Sequence, residues 1–514
     1  MIKKGGFRHQ AGGQNRGKSS TGLACLQAIA DDIIGSAVKY FLFIGVFFEV
    51  NYNLLNWVTI QKRGKNQPLS LWRRVFLVFL IAAMAPIASV MFLAYINGKR
   101  LGWEVARISK AGEPVIFTNL SPKPSSPGAE DAADYYVDAM WQIQPGELPG
   151  LTKVYTFYRL NMAALPPNQF PGDLRKTVQE NLTRTQPILA KLDKGAELEL
   201  TGFDIGILHG NKICRSRLNS CQAAFFLLSL RTLDAISRGD SAKAIQSLES
   251  TLKLMRVFDS QPTMFVQTNK IECVRLVCND VLLLLARCRL SEQQLAHLQP
   301  MLENMFLSSS LETMLLAERV YQLEVGRNLI PKGVVSKYLA PNAPNLPERL
   351  QLPGFMWHRM RVRAASVRYL RDMAWFIEAS RLPWPESLDK IIDVNSAPAK
   401  RSPRLASAAI LLSRLMSETL AKFRCTTTAV AIERYRSQKG NLPETLDAIS
   451  PQYVGSIPLD PFTGKPLLYI RDVDSYTVYS TGFNRVDDKG SVTPKQERTP
   501  ALDTGVRVKR SPSK

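Results

Sequence analysis

The sequence predicts a mainly α-helical chain: a membrane-anchored helical bundle or short α-solenoid that ends in a small α+β module. Three observations carry this. One uncharged apolar run is long enough to cross a bilayer. Apolar residues then recur at every third and fourth position through most of the chain. Strand-like alternation enters only near the C-terminus.

The 514 residues are 45% hydrophobic and 21% charged, with a formal net charge of +22. That balance excludes a disordered or collagen-like chain, and seven cysteines exclude a disulfide-dense scaffold. A chain of this length can bury a core without covalent or metal staples.

Residues 1–31, with Lys3, Lys4, Arg8, Arg16 and Lys18, read as a basic tail expected to be disordered. Residues 32–74 hold a second apolar run, Ile33–Val50, and a basic loop. The run contains Lys39 and ends at Glu49. A charge near mid-bilayer costs roughly 2.5–3.5 kcal/mol, which favours an interfacial segment over a second span. Residues 75–96, Val75 to Ile96, contain no charge and form the expected transmembrane helix, roughly 33 Å long at 1.5 Å per residue. Arg73 and Arg74 precede it, Lys99 and Arg100 follow, and Trp72, Tyr95 and Trp103 suit the two interfaces. The basic residues ahead of the span place the N-terminus in the cytoplasm and the main body on the far side.

Residues 97–404 read as an exported, mainly helical domain. Leu101–Ile116 is a stalk helix, Ser121–Gly128 a linker and Asp131–Trp141 a helix, while Val154–Met162 and Ala196–Thr201 read as short strands. Cys221–Ile236 has helical spacing, with Cys214 and Cys221 flanking the helix start. Gly239 breaks it, and Asp240 caps the next helix, which carries Ala242, Ile245, Leu248, Leu252 and Met255. Val266–Cys288 is a third helix, and Ser291 with Gln294 opens a fourth as a capping box. Leu227, Leu248, Leu252, Leu276 and Leu283 are the expected core. Pro331–Pro353 reads as a loop, Arg359–Ile377 as a helix and Ala397–Arg404 as a linker.

Residues 405–491 start with a long helix, Leu405–Arg436, stopped at Lys439 and Gly440. A corner with Pro458, Asp460 and Pro461 leads to a hairpin of Leu467–Ile470 and Tyr476–Ser480, turned at Asp472–Ser475. Residues 492–514 are polar and basic and read as a disordered tail.

Motifs that carry chemistry are scarce. The four histidines, His9, His209, His297 and His358, stand far apart, and no HExxH, GxSxG or phosphate-cradling glycine loop occurs. No CxxC pair supports zinc, and the cysteines read as small buried apolar residues. The sequence therefore nominates no catalytic and no cofactor-binding residue. Arg359, Arg361, Arg363, Arg368 and Arg371 crowd one segment and read as a solvated basic face. Anionic lipid or acidic envelope polymers would suit it, and no nucleic acid is expected.

Three stretches carry a resemblance: AIERYRSQKGNLPETLDAI, YVGSIPLDPFTGKPLLYI and SYTVYSTGFNRVDDKG. With Gly440, Pro443, Pro458, Asp460, Pro461, Tyr479, Ser480 and Gly482, they resemble the C-terminal part of type II secretion major pseudopilins. There a long helix turns into a small antiparallel sheet. A pseudopilin carries its apolar helix at the very N-terminus, whereas this one begins at Val75. Ala111–Val115 (AGEPV) and Leu290–Leu302 are similar to uncharacterised membrane-anchored proteins of planctomycete-type bacteria.

The resemblance implies a pseudopilin-like module, a bacterial inner (cytoplasmic) membrane and a periplasmic body. It also implies calcium in the loop Gly482–Gly490, with Asn484, Asp487 and Asp488 as ligands; a solvated polar turn is the other reading of those residues. The expected function is a non-enzymatic envelope protein with a helical interaction domain. Its partners would be the lipid bilayer and envelope or secretion-apparatus proteins. Alternatives are an exported hydrolase or a pseudopilin-docking component of a secretion-like machine.

Overall fold

The computed structural model describes residues 71–116, 120, 130–143, 150–165, 169–206, 211–306, 311–329, 352–393, 403–492 and 502–510. The chain divides into two compact units, Met1–Ala85 and Pro86–Lys514. Within the first, the described residues are the opening turns of helix α1 (Leu71–Lys110), where Phe79, Leu80, Ile81 and Met84 are exposed. Among the described residues α1 alone is long and apolar enough to cross a membrane. The basic tail, Ile33–Val50 and the Ser121–Gly128 linker lie outside the described residues, as do Pro331–Gln351 of the predicted loop and most of the Ala397–Arg404 linker.

The second unit is helical up to its C-terminal sheet. Local signals start and stop its helices. Asp131 caps α2 (Ala132–Gln142) by accepting from Ala133 N at 2.8 Å. The segment Val154–Met162, expected as a strand, lies in α3 (Leu151–Ala164). Its β-favouring Val, Thr and Tyr yield to a helical period that buries Tyr155, Tyr158 and Met162 together. Helices α4 (Gly172–Arg184) and α5 (Gln186–Glu197) follow. The second expected strand, Ala196–Thr201, is the end of α5 and an irregular stretch, where Glu199 O accepts from Ala132 N. Gly195 lets α5 approach α2: a Cβ there would sit 2.6 Å from the Tyr136 ring.

Helix α6 (Asn211–Ser237) contains both Cys214 and Cys221 rather than starting between them. Asp240 accepts from Lys243 N at 3.1 Å and opens α7 (Ser241–Leu254), and α8 (Met264–Arg287) returns alongside α6. The Ser291–Gln294 capping box forms in both directions, at 3.0 and 3.2 Å, ahead of α9 (Glu292–Phe306). Leu227 and Leu248 are buried as expected. Leu252, Leu276 and Leu283 sit at the edge of the core, because Thr251, Leu254, Val277 and Leu284 take the inward positions of the 3.6-residue period.

Helices α10 (Leu311–Leu329), α11 (Leu352–Ser380) and α12 (Glu386–Ile392) build a second cluster with Met314, Leu315, Phe376 and Ile377. Helix α13 (Pro403–Lys439) ends at Gly440, whose φ of 81° needs glycine.

The sheet has antiparallel order β1 (Leu468–Arg471), β2 (Ser475–Ser480), β3 (Thr504–Lys509), with Leu468 opposite Tyr479 and Tyr476 opposite Val508. β3 corrects the expected disordered tail at 492–514. Val506 and Val508 face inward while Arg507 and Lys509 face out, a short alternation hidden in a basic stretch. All six residues of β2 are buried. Val478, Val506 and Val508 join Val430 of α13 and Val281 of α8 in one core, so the expected boundary at 404/405 falls inside shared packing.

Candidate functional site

The most organised polar constellation lies where α1 enters the body. Past Ile96 the helix continues unbroken to Lys110, and Gly112, at a φ of 73°, turns the chain. Glu113 then meets two arginines. Arg319 of α10, with no exposed surface, donates through Nη1 to Glu113 Oε2 at 2.6 Å and through Nη2 to Pro114 O at 3.3 Å. Arg381 donates to Glu113 Oε1, Glu312 and Glu378 at 2.6, 2.7 and 2.6 Å.

Burial works against a charge on Glu113, but the bonds from Arg319 and Arg381 outweigh it and hold the carboxyl below the usual range. Nearby, Arg371 and Arg107 share Glu104 at 2.7 and 3.0 Å, and Arg363 donates to Ala94 O at 3.0 Å. Ile108, Leu323 and Leu370 form a small apolar spot between. A cavity of about 360 Å³ opens among Arg107, Glu113, Arg319, Trp375 and Arg381. Its cations and carboxylates neutralise one another, so the arrangement suits holding two elements together.

A second feature is an apolar groove of about 660 Å³ between α2, Gly202–Asp204 and the start of α6. Val137, Trp141 and Ile213 present exposed apolar surface. Arg217 Nη1 donates to Asp204 Oδ2 at 2.9 Å, and Gly206 N to Asp204 Oδ1 at 2.7 Å. Burial opposes the Asp204 charge, yet these bonds keep its carboxyl below the usual range. Cys214, buried beside the groove, has its thiol pushed up by desolvation and is a poor nucleophile. Such a groove suits an apolar or amphipathic group.

The residues nominated for calcium are distributed as follows. Asp487 Oδ1 accepts from Tyr479 Oη at 3.0 Å and Lys489 N at 2.9 Å. Asp488 Oδ2 accepts from Asn484 Nδ2 at 2.9 Å, and Asn484 Oδ1 from Val486 N at 3.1 Å. Asp503, which the sequence reading missed, is buried and accepts from Asp488 N and Ser491 N. These oxygens are engaged by the chain's own donors. Among the described residues no three carboxylate, imidazole or thiolate groups converge on one point.

His297 lies exposed on α9, its Nε2 3.8 Å from Glu249; His9 and His209 lie outside the described residues. The six described cysteines are buried and free. Sequence reasoning also missed Asp280 of α8. It is fully buried, bonded to Tyr155 Oη at 3.5 Å, and desolvation pushes its carboxyl up to about 7.

Neither Glu113 nor Arg319 was legible as a pair. The only hint was Glu113 inside the AGEPV segment, and its partner stands 206 residues away. No protein-family model, no curated protein and no solved structure matches this chain.

Proposed function

We propose that this is a single-pass envelope protein of a bacterial inner membrane, with its N-terminus in the cytoplasm and its body in the periplasm. The body binds partner proteins rather than turning over a substrate. The observation that carries the reading is the junction: α1 runs unbroken from its apolar stretch into the body and is clamped there by Arg319 and Arg381 on Glu113. A flexible tether suffices to retain an enzyme at a membrane. A clamped helix also fixes the height and tilt at which a binding face is presented. The groove beside Trp141 is the proposed face.

Two measurements test this. Protease added to spheroplasts should remove the body and spare the basic N-terminus, in a protein that resists carbonate extraction. A pull-down from detergent-solubilised envelope should recover partners that Trp141→Ala loses. Release by carbonate, or the same partners with the variant, would overturn it.

A second reading, docking of secretion pseudopilins, is supported by the antiparallel sheet against α13 and by the exposed Phe483 and Val486 beside it. It requires that the pull-down contain pseudopilins and that Phe483→Ser release them.

A further inference from the structure

Three hydrogen bonds join α1 or the turn after it to α11 and the residue after its end. They link Arg363 to Ala94, Arg371 to Glu104 and Arg381 to Glu113, pairs separated by 269, 267 and 268 residues. A constant difference means that the two segments run parallel and in step, each rising 1.5 Å per residue. Helix α11, however, begins at Leu352, well before Arg363. Its first turns therefore extend about 16 Å back along α1 from the Arg363 contact. The same difference sets Phe355 level with Ile87 and Arg361 level with Leu93, inside the uncharged run that ends at Ile96.

The sequence of those turns fits that depth. Leu352–Trp357 reads LPGFMW, with no charge, and Arg359 and Arg361 follow on the side of the body. Arg361 is exposed. On α1 at the same height, Met91, Phe92, Leu93 and Tyr95 are exposed, while Ala94, beneath Arg363, is buried.

We infer that the first turns of α11, Leu352–Trp357, insert into the leaflet through which α1 leaves the bilayer, and that the turn carrying Arg361 lies at anionic headgroups. The inference rests on the reading of α1 as a span. If Val75–Ile96 crosses a membrane, a helix in step with residues 87–93 occupies the same layer. Arginines a few ångströms below the surface reach phosphate by extending their stems outward. The body is thereby seated on the membrane by two elements, which also removes its freedom to rotate about α1.

The test uses the full chain with Cys25→Ser in vesicles of phosphatidylethanolamine and phosphatidylglycerol. A bimane label is placed at Met356→Cys and, as a reference in the span, at Phe92→Cys. Brominated acyl chains should quench both labels to within about twofold, and aqueous iodide should quench neither. Iodide quenching at 356 alone, or protection at 356 from both quenchers, overturns the inference and leaves the span intact. Iodide quenching at both positions overturns the span as well. Arg359→Glu with Arg361→Glu, or vesicles without phosphatidylglycerol, should reduce acyl-chain quenching at 356 at least threefold. Unchanged quenching there would remove the headgroup contact from the inference.

Discussion

Where α13 meets the sheet, contact is made by Val430, Val478, Val506 and Val508 around one buried carboxylate, Glu433, which accepts from Tyr476 Oη at 3.0 Å. Where the end of α1 meets α10 and α11, the apolar part shrinks to Ile108, Leu323 and Leu370, and arginines reach across to Glu104, Glu113 and a backbone carbonyl. The first seam is made mainly by area, which is non-directional, with Arg436 and Arg510 pairing the one buried carboxylate, Glu433. The second is made by directional bonds, and the buried Arg319 in particular is stranded if Glu113 is lost. Apolar packing therefore builds the module into the body, while charge sets how the anchor is held.

The largest expected effect breaks the second seam. Glu113→Gln leaves Arg319, which has no exposed surface, without its counter-charge. Breaking such a buried pair costs about 3–5 kcal/mol. Amide exchange of residues 101–113 should accelerate sharply, while that of β2 stays slow. Equal acceleration of both would mean that the seams are not distinct.

Asp280 sharpens the contrast, because among the described residues no arginine bonds to this buried carboxylate. Desolvation raises it to about 7, whereas Glu113 is held low. The folded carboxyl keeps its proton up to about pH 7, and the unfolded one loses it near pH 4. Stability should therefore fall as pH rises from about 4 to about 7 and level off above. Asp280→Asn should remove this carboxyl's share of that fall and, at pH 8, raise stability by on the order of 2–4 kcal/mol in urea unfolding. An unchanged pH profile would show that the carboxyl is ionised in the folded protein.

The sheet corner comes next. Asp460, buried, accepts from Phe462 N at 2.8 Å, Ser480 Oγ at 2.8 Å and Thr481 N at 3.1 Å. Asp460→Ala should cost about 2–3 kcal/mol, since hydrogen bonds to a charged group are the stronger kind. Because the core is shared, the loss should appear in a single unfolding transition of the whole unit. A separate early transition of the sheet would show that the module is independent after all.

The smallest effect concerns the loop Gly482–Gly490. Asp487 and Asp488 already accept hydrogen bonds from Tyr479, Lys489 and Asn484. Millimolar calcium is therefore expected to move the melting temperature by less than about 1 °C, a shift worth under about 1 kcal/mol in a unit of this size. A larger rise, abolished by Asp487→Asn, would establish the calcium reading.

Local information was enough for much of the fold. The uncharged run from Val75, the caps at Asp240 and Ser291, the stop at Gly440 and the hairpin on either side of Asp472 each depend on residues within a few positions of one another. Helical period, capping bonds and turn geometry act over that range, so the sequence displays them directly. Period also outranked propensity at Val154–Met162, where β-favouring residues form a helix. Tertiary structure decided the rest. It recruited Val506 and Val508 from a basic tail into β3, merged the module with the body, and brought Arg319 and Arg381 to Glu113 across more than two hundred residues. No spacing rule connects such residues. Burial energy and ion pairing depend on which surfaces meet in space, and that is settled only when the whole chain has packed.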